Sequence, residues 1–284
     1  MSESTAAAKP AKSANSNLAV RFATALVGGP IILALLYLGP PWGWLCFVAA
    51  ATAVGAWELF GMTHPEDDVS RAAATVITVA LTLGIWFCTG SAVQLLTLFL
   101  VVPLVGMVIT LVRLGDMKTA AMRTMALAFG PLYVGGGMAA LAMLRRDGGE
   151  DGASFVVLAL LLSWLSDTGG YFAGRFLGKH KLYPAVSPKK TVEGSLGGVA
   201  GGVVGALLAH FLFLRSLPLG HALALGVVGS ALGQVGDLGE SLLKRSFGVK
   251  DSGGIVPGHG GILDRVDALL VTGTICYLYV LWAR

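Results

Sequence analysis

The segment Ser241-Leu-Leu-Lys-Arg-Ser-Phe-Gly-Val-Lys-Asp-Ser-Gly-Gly-Ile-Val-Pro-Gly-His-Gly-Gly-Ile-Leu-Asp-Arg-Val-Asp267 sets acids, bases, a histidine and repeated glycines between two apolar runs. Charge of this density beside stretches long enough to cross a bilayer reads as a catalytic site at the water boundary of a membrane protein. The fold class follows: an all-α, polytopic membrane helix bundle whose chemistry lies in the polar segments between spans.

Composition agrees. With 284 residues, 55% hydrophobic, 13% charged and a mean hydropathy of +0.76, the chain has too little polar surface to clothe a soluble globule. Cys46, Cys88 and Cys276 lie in apolar runs without CxxC spacing or histidine neighbours, which excludes a zinc or disulfide framework and reads as buried small hydrophobes. Residues 1–17, rich in Ala, Ser and Lys, cannot bury an apolar face and are expected to form a disordered cytosolic tail. No cleavable presequence is expected, because the run after Arg21 is long enough to span.

Hydropathy predicts nine spans, at 20–38, 42–62, 72–89, 93–112, 124–144, 153–173, 195–214, 219–237 and 266–282. With the N-terminus in the cytosol, only Arg145, Arg146, Arg215 and Arg284 of the 20 Lys and Arg fall outside, and that imbalance predicts the orientation. The polar loops 174–194 and 238–265 then share the cytosolic face, where a nucleotide from solution and a lipid headgroup from the bilayer can meet. Residues 18–150 read as a transmembrane scaffold whose first four spans carry little polarity beyond Glu58, and residues 151–284 as the transmembrane catalytic region. The seventh span repeats small residues on two ridges, Gly194, Gly198, Gly202 and Gly197, Gly201, Gly205, a pattern for close helix packing.

Three polar constellations carry the chemistry. Ser163, Asp167, Tyr171 and Arg175 recur every fourth residue, so a polar stripe descends one face of the sixth span. A carboxylate at membrane depth costs about 2.5–3.5 kcal/mol and calls for a cation, whether in catalysis or simply in pairing with a lysine. Lys189, Lys190 and the hydroxyls of Ser187 and Thr191, on a loop stiffened by Pro188, are donors suited to polyphosphate, although a Lys pair on such a loop also serves as a topology signal or a contact for anionic lipid. Gln234, Asp237, Ser241 and Lys244 form a second helical stripe, with Glu240 and Lys244 as an i, i+4 pair. Beyond it come Lys250, Asp251 and a glycine turn including Gly260 and Gly261, whose amides can approach phosphate oxygens. His259 in that turn reads as a loop-shaping or hydrogen-bonding residue, with a phosphate donor in substrate binding or a proton shuttle as the alternatives. Asp264 and Asp267 open the last helix on one face, and Asp237 and Asp264, entering from two helices, suit Mg²⁺, which takes a few carboxylates and leaves other positions to water and phosphate.

Together these segments resemble the phosphatidate cytidylyltransferases, also called CDP-diacylglycerol synthases. The likeness rests on Ser241, Lys244, Arg245, Lys250, Asp251, Pro257, His259, Gly260, Gly261, Asp264, Arg265 and Asp267 at the family's spacing, with 166–175 and 187–194 also similar. Val256 and Gly254 depart slightly from it, at uncharged positions. The resemblance implies that CTP and phosphatidate give CDP-diacylglycerol and pyrophosphate with Mg²⁺. The roles expected for this chain's own residues are metal ligation by Asp237 and Asp264, with Asp167 and Asp267 as further ligands or supporting partners. Lys189, Lys190, Lys244 and Arg265 would neutralise phosphates, Arg245 and Lys250 face the lipid headgroup, Gly260 and Gly261 offer amides to the triphosphate, and Ser241 assists the metal or phosphate. Expected partners are CTP, phosphatidate and the bilayer of a bacterial inner membrane, with no nucleic acid. The first four spans are left as a lipid entry or a homodimer face. Rival readings are a CTP-using kinase for an isoprenoid alcohol, which would need a base, and an ion-coupled transporter, whose charges should lie at the midplane.

Overall fold

The computed structural model describes residue 26 and residues 28–254 and 260–284. Among these, eight helical segments are long and apolar enough to cross a membrane, and Gly28–Leu38 (α1) is a shorter apolar helix. The protein is an all-α polytopic membrane bundle. The first of the nine expected spans begins outside the described residues, and the other eight have counterparts.

The helices α2 (Pro41–Thr63), α3 (Asp68–Cys88), α4 (Ala92–Val112), α5 (Met117–Gly130) and α6 (Gly137–Asp147) build the first half. Their starts are written locally. Pro40 and Pro41 open α2, and the carboxylate of Asp67 and the hydroxyl of Ser91 accept the Ser70 and Gln94 amides to cap α3 and α4. Asp67 also takes Arg113 Nε at 2.9 Å. Burial works against its ionisation, but the hydrogen bonds from Ser70 and Arg113 outweigh it and hold the carboxyl below its ordinary value. The expected fifth span, 124–144, is the middle of one apolar segment, Met117–Asp147. It runs through a π turn, Pro131–Gly136, that joins α5 to α6. Pro131 has no N–H to continue the ladder, and the Gly135 carbonyl in the turn accepts Thr82 Oγ1 at 3.0 Å.

The second half comprises α7 (Gly152–Leu177), a two-stranded antiparallel hairpin of β1 (Lys181–Tyr183) and β2 (Ser187–Thr191), then α8 (Val192–Leu212), α9 (Leu219–Ser246) and α10 (Leu263–Ala283). The loop expected over 174–194 is therefore partly helix and partly hairpin, and α9 continues past 237 because its polar stripe turns inward and is neutralised there. Glycines bring α7 and α8 backbone to backbone: a methyl on Gly201 would land on the Leu165 carbonyl, and one on Gly169 on the Gly197 carbonyl. The last helix packs on α6, α7 and α9, so the two halves share one core through Leu141, Phe155, Leu158, Leu270 and Cys276.

Large apolar side chains on α4, including Leu96, Leu100, Leu104, Val108 and Leu111, face outward, as a lipid-facing helix requires. Charge segregates to the two ends. At the end opposite the hairpin, Arg145 donates to the Leu36 carbonyl at 2.8 Å, Arg146 to the Trp86 carbonyl at 2.6 Å, and Arg284 pairs with Asp151 at 2.5 Å.

Candidate active site

A cavity of about 390 Å³ opens between α7, the hairpin, α8 and α9, lined by Asp167, Tyr171, Arg175, Lys189, Lys190 and Asp237 among others. Each element delivers its part by local logic. The stripe on α7 places Asp167, Tyr171 and Arg175 in line, and Arg175 donates to Tyr171 Oη at 2.6 Å. The hairpin leans its lysines over the cavity and is anchored at its base by Glu193, which accepts the Lys179 amide at 3.0 Å and touches His180 Nδ1 at 2.6 Å. Lys190 pairs with Asp237 of α9. At the floor, Ser195 Oγ donates to Gln234 at 2.6 Å, and Gln234 returns a bond to the Ser195 carbonyl. Ser166 Oγ, also on the lining, is buried without a hydrogen bond among the described residues.

A second cluster lies where α9, α10 and α2 meet. Lys244, 11% exposed in its side chain, pairs with the fully buried Glu240 one turn before it and with Asp264 Oδ1 at 2.6 Å. The other oxygen of Asp264 accepts the Ser252 amide at 3.0 Å, Ser252 Oγ at 2.9 Å and the Gly261 amide at 2.9 Å. Glu58 of α2, 3% exposed, accepts the Leu263 amide at 2.9 Å. Lys244 thus meets two carboxylates at once, with Glu58 linked to Asp264 through Ser252.

Asp267, one turn beyond Asp264, joins the clusters: the charges of Asp237, Asp167 and Lys244 all act on it. Arg265 acts on Asp167, as do Asp237 and Lys190. Tyr133, on the π turn, has a hydroxyl buried without a partner among the described residues and lies in the field of Asp267, Glu240 and Asp237.

The structure thus brings Asp167, Asp237, Lys189 and Lys190 together around one cavity, whereas Asp264 faces Lys244 and Ser252 and is not part of that lining. Thr191 reaches the cavity wall, but its Oγ1 accepts the Gly194 amide to cap α8. Ser187 pairs with Tyr183 in the hairpin. Ser241 is half-buried on α9. Arg245 donates to the Val249 carbonyl at 3.2 Å, Lys250 is exposed, and Asp251 lines a smaller cavity beside Glu58. Gly260 has a φ of 79°, and the Gly261 amide is directed at Asp264. His259 lies outside the described residues. Sequence reading passed over Tyr133 and Ser252; only the inward-facing glycine turn around Ser252 hinted at a role. It noticed Glu58 as an isolated acid without seeing its partners.

Among the described residues no three acidic, His or Cys side chains converge as a ready-made metal site. Mg²⁺ needs no such set, since it is commonly held by one or two carboxylates with phosphate and water. Acids of α7, α9 and α10 acting on one another beside a lysine-lined cavity have the donor chemistry for a hard cation shared with polyphosphate.

Fold and site together define a polytopic membrane protein whose cavity sets Asp167 and Asp237 beside Lys189 and Lys190 of a hairpin, a charge pattern suited to polyphosphate groups. The chain belongs to the cytidylyltransferase family, whose model matches residues 19–283. It is 47% identical over 121 residues to a phosphatidate cytidylyltransferase of Staphylococcus haemolyticus, covering 43% of this chain and 46% of that one. Over 138 residues it is 46% identical to the protein of that name from Staphylococcus saprophyticus, covering 49% and 52%, and 43% identical to that of Staphylococcus aureus, with the same coverage. The aligned region thus spans about half the length of these relatives.

Proposed function

We propose that this protein transfers the cytidylyl group of CTP to phosphatidate, giving CDP-diacylglycerol and pyrophosphate. The observation that carries the reading is the cavity that joins Asp167, Asp237, Lys189 and Lys190, in a chain that the cytidylyltransferase family's model matches over residues 19–283. Phosphatidate brings its own nucleophile, a phosphate oxygen, so no serine or cysteine nucleophile is needed. The protein's task is alignment of that oxygen with the α-phosphorus of CTP and neutralisation of the leaving pyrophosphate.

In this reading Lys189 and Lys190, with Arg175 beside them, hold phosphates over the cavity. Lys190 stands against Asp237 and Lys244 against Asp264 as internal counter-charges, so each ammonium has an acidic partner to exchange for substrate phosphate. Asp237, Asp264 and Asp167 are the carboxylates we assign to Mg²⁺, with Asp267 supporting them. When bound, the ion supplies charge neutralisation on the triphosphate. Arg265 adds positive charge near Asp167. This reading puts the cavity on the cytosolic side of a bacterial inner membrane, where CTP is present, and the excess of Lys and Arg expected on that side supports it.

The test uses purified protein in micelles containing phosphatidate, with CTP labelled separately at the α- and γ-phosphates. Label from the α-phosphate should enter the lipid phase with release of pyrophosphate, and chelation of Mg²⁺ should abolish it. Transfer of the γ-label to an added isoprenoid alcohol would favour a kinase, and no transfer at all would refute the reading.

A further inference from the structure

Glu58 is the one charged residue of α2, five positions before the helix ends at Thr63. It is 3% exposed. Such a group is kept inside a bundle at a cost in free energy that its hydrogen bonds must offset. Its Oε2 accepts the amide of Leu263, the first residue of α10, at 2.9 Å. The preceding residue, Ile262, provides no side-chain cap, so an orphan amide of α10 is satisfied from α2, with a negative charge at the positive end of the helix. The incoming chain is moulded to the same carboxylate: a methyl on Gly253 or on Gly261 would run into it. Ser252 Oγ sits between the two acids, 2.9 Å from Asp264 Oδ2 and 3.5 Å from Glu58 Oε2.

We propose that Glu58 is a positioning residue for cytidylyl transfer, acting through Ser252 and the Gly261–Leu263 backbone to hold the Asp264 carboxylate and the entry of α10 in the reacting arrangement. The inference rests on the transferase reading above and makes α2 part of the active-site structure. A misplaced acid impairs the chemical step more than the initial capture of CTP by the hairpin lysines, so the effect belongs in kcat.

The experiment compares Glu58→Ala, Glu58→Gln, Ser252→Ala and the Glu58→Ala/Ser252→Ala double variant of the full chain, assaying initial rates against CTP at saturating phosphatidate and Mg²⁺. Glu58→Ala should lower kcat about tenfold or more, the size typical for groups that orient a ligating side chain, with KM for CTP little changed. Glu58→Gln, which retains an acceptor for the Leu263 amide, should recover most of that loss. Ser252→Ala should lower kcat in the same way, and the double variant should be no slower than Glu58→Ala alone, because both substitutions act on one carboxylate. A folded Glu58→Ala with unchanged kcat, a loss confined to KM, no recovery in Glu58→Gln, or losses that multiply in the double variant would each overturn the proposal. If Glu58→Ala does not fold, Ser252→Ala, which leaves the helix cap in place, decides: an unchanged kcat overturns it and a lowered one supports it. An inactive unsubstituted protein would instead defeat the transferase reading, and this inference with it.

Discussion

Asp237 and Lys190 show what single residues contribute and how far they can be read in isolation. Both stood out in the sequence, the aspartate from its helical stripe and the lysine from its loop, but nothing in either segment said that they would pair. That contact joins residues 47 apart and depends on the hairpin folding back over α9. The same holds for Lys244, whose link to Glu240 is written in the i, i+4 spacing while its link to Asp264 is not. Replacing Asp237 with Asn should remove a carboxylate from the cavity floor and leave Lys190 without its counter-charge. Turnover should fall by about 100-fold, the usual scale for losing one preorganised electrostatic group, while the protein remains folded in micelles. Lipid-linked cytidine formation and size-exclusion profiles measure the two, and near-normal turnover would remove Asp237 from the proposed machinery.

At the scale of elements, the decisive contact is between α7 and α8, because these helices carry one wall and one floor of the cavity. The small residues at 194–205 were readable as a packing surface, and the structure shows its consequence: Gly201 lies against the Leu165 carbonyl and Gly197 against Ala173 and Gly169. Backbone is the neighbour there, so a larger residue cannot be accommodated by a rotamer change. Gly201→Val should push the helices apart and destabilise the protein by about 1–3 kcal/mol, the range for overpacked sites. A lower Tm in micelles checks this, and an unchanged Tm would mean that the interface is slack. Element ends were less legible than element centres. The helical stripe through Lys244 already pointed to α9 continuing beyond its apolar span, as it does to Ser246, whereas the π turn at Pro131–Gly136 within one apolar segment had no such signal.

Across the whole molecule, charge is sorted by end. Arg145, Arg146 and Arg284 are tied to carbonyls or acids at the end opposite the hairpin, whereas Lys189, Lys190, Lys244 and Arg245 gather at the other. The positive-inside bias then predicts that the hairpin end faces the cytosol. In cells expressing single-cysteine variants that also lack Cys46, Cys88 and Cys276, a membrane-impermeant maleimide should modify Gly149→Cys in intact cells and His180→Cys only after the inner face is opened. The reverse labelling pattern would place the cavity on the wrong side for a cytosolic nucleotide.

Hydropathy and helical spacing alone determined that this chain is a helical membrane bundle and which polar residues stand out, because both are local properties of successive side chains in a low-dielectric solvent. Tertiary packing decided the rest: which lysine meets which aspartate, that Asp267 lies within the field of Asp237 and Asp167, and that Glu58 caps a helix 205 residues away. Those pairings follow from helix crossings and backbone-to-backbone approach, in which groups distant in the chain satisfy one another because no water is available inside the bundle to do so.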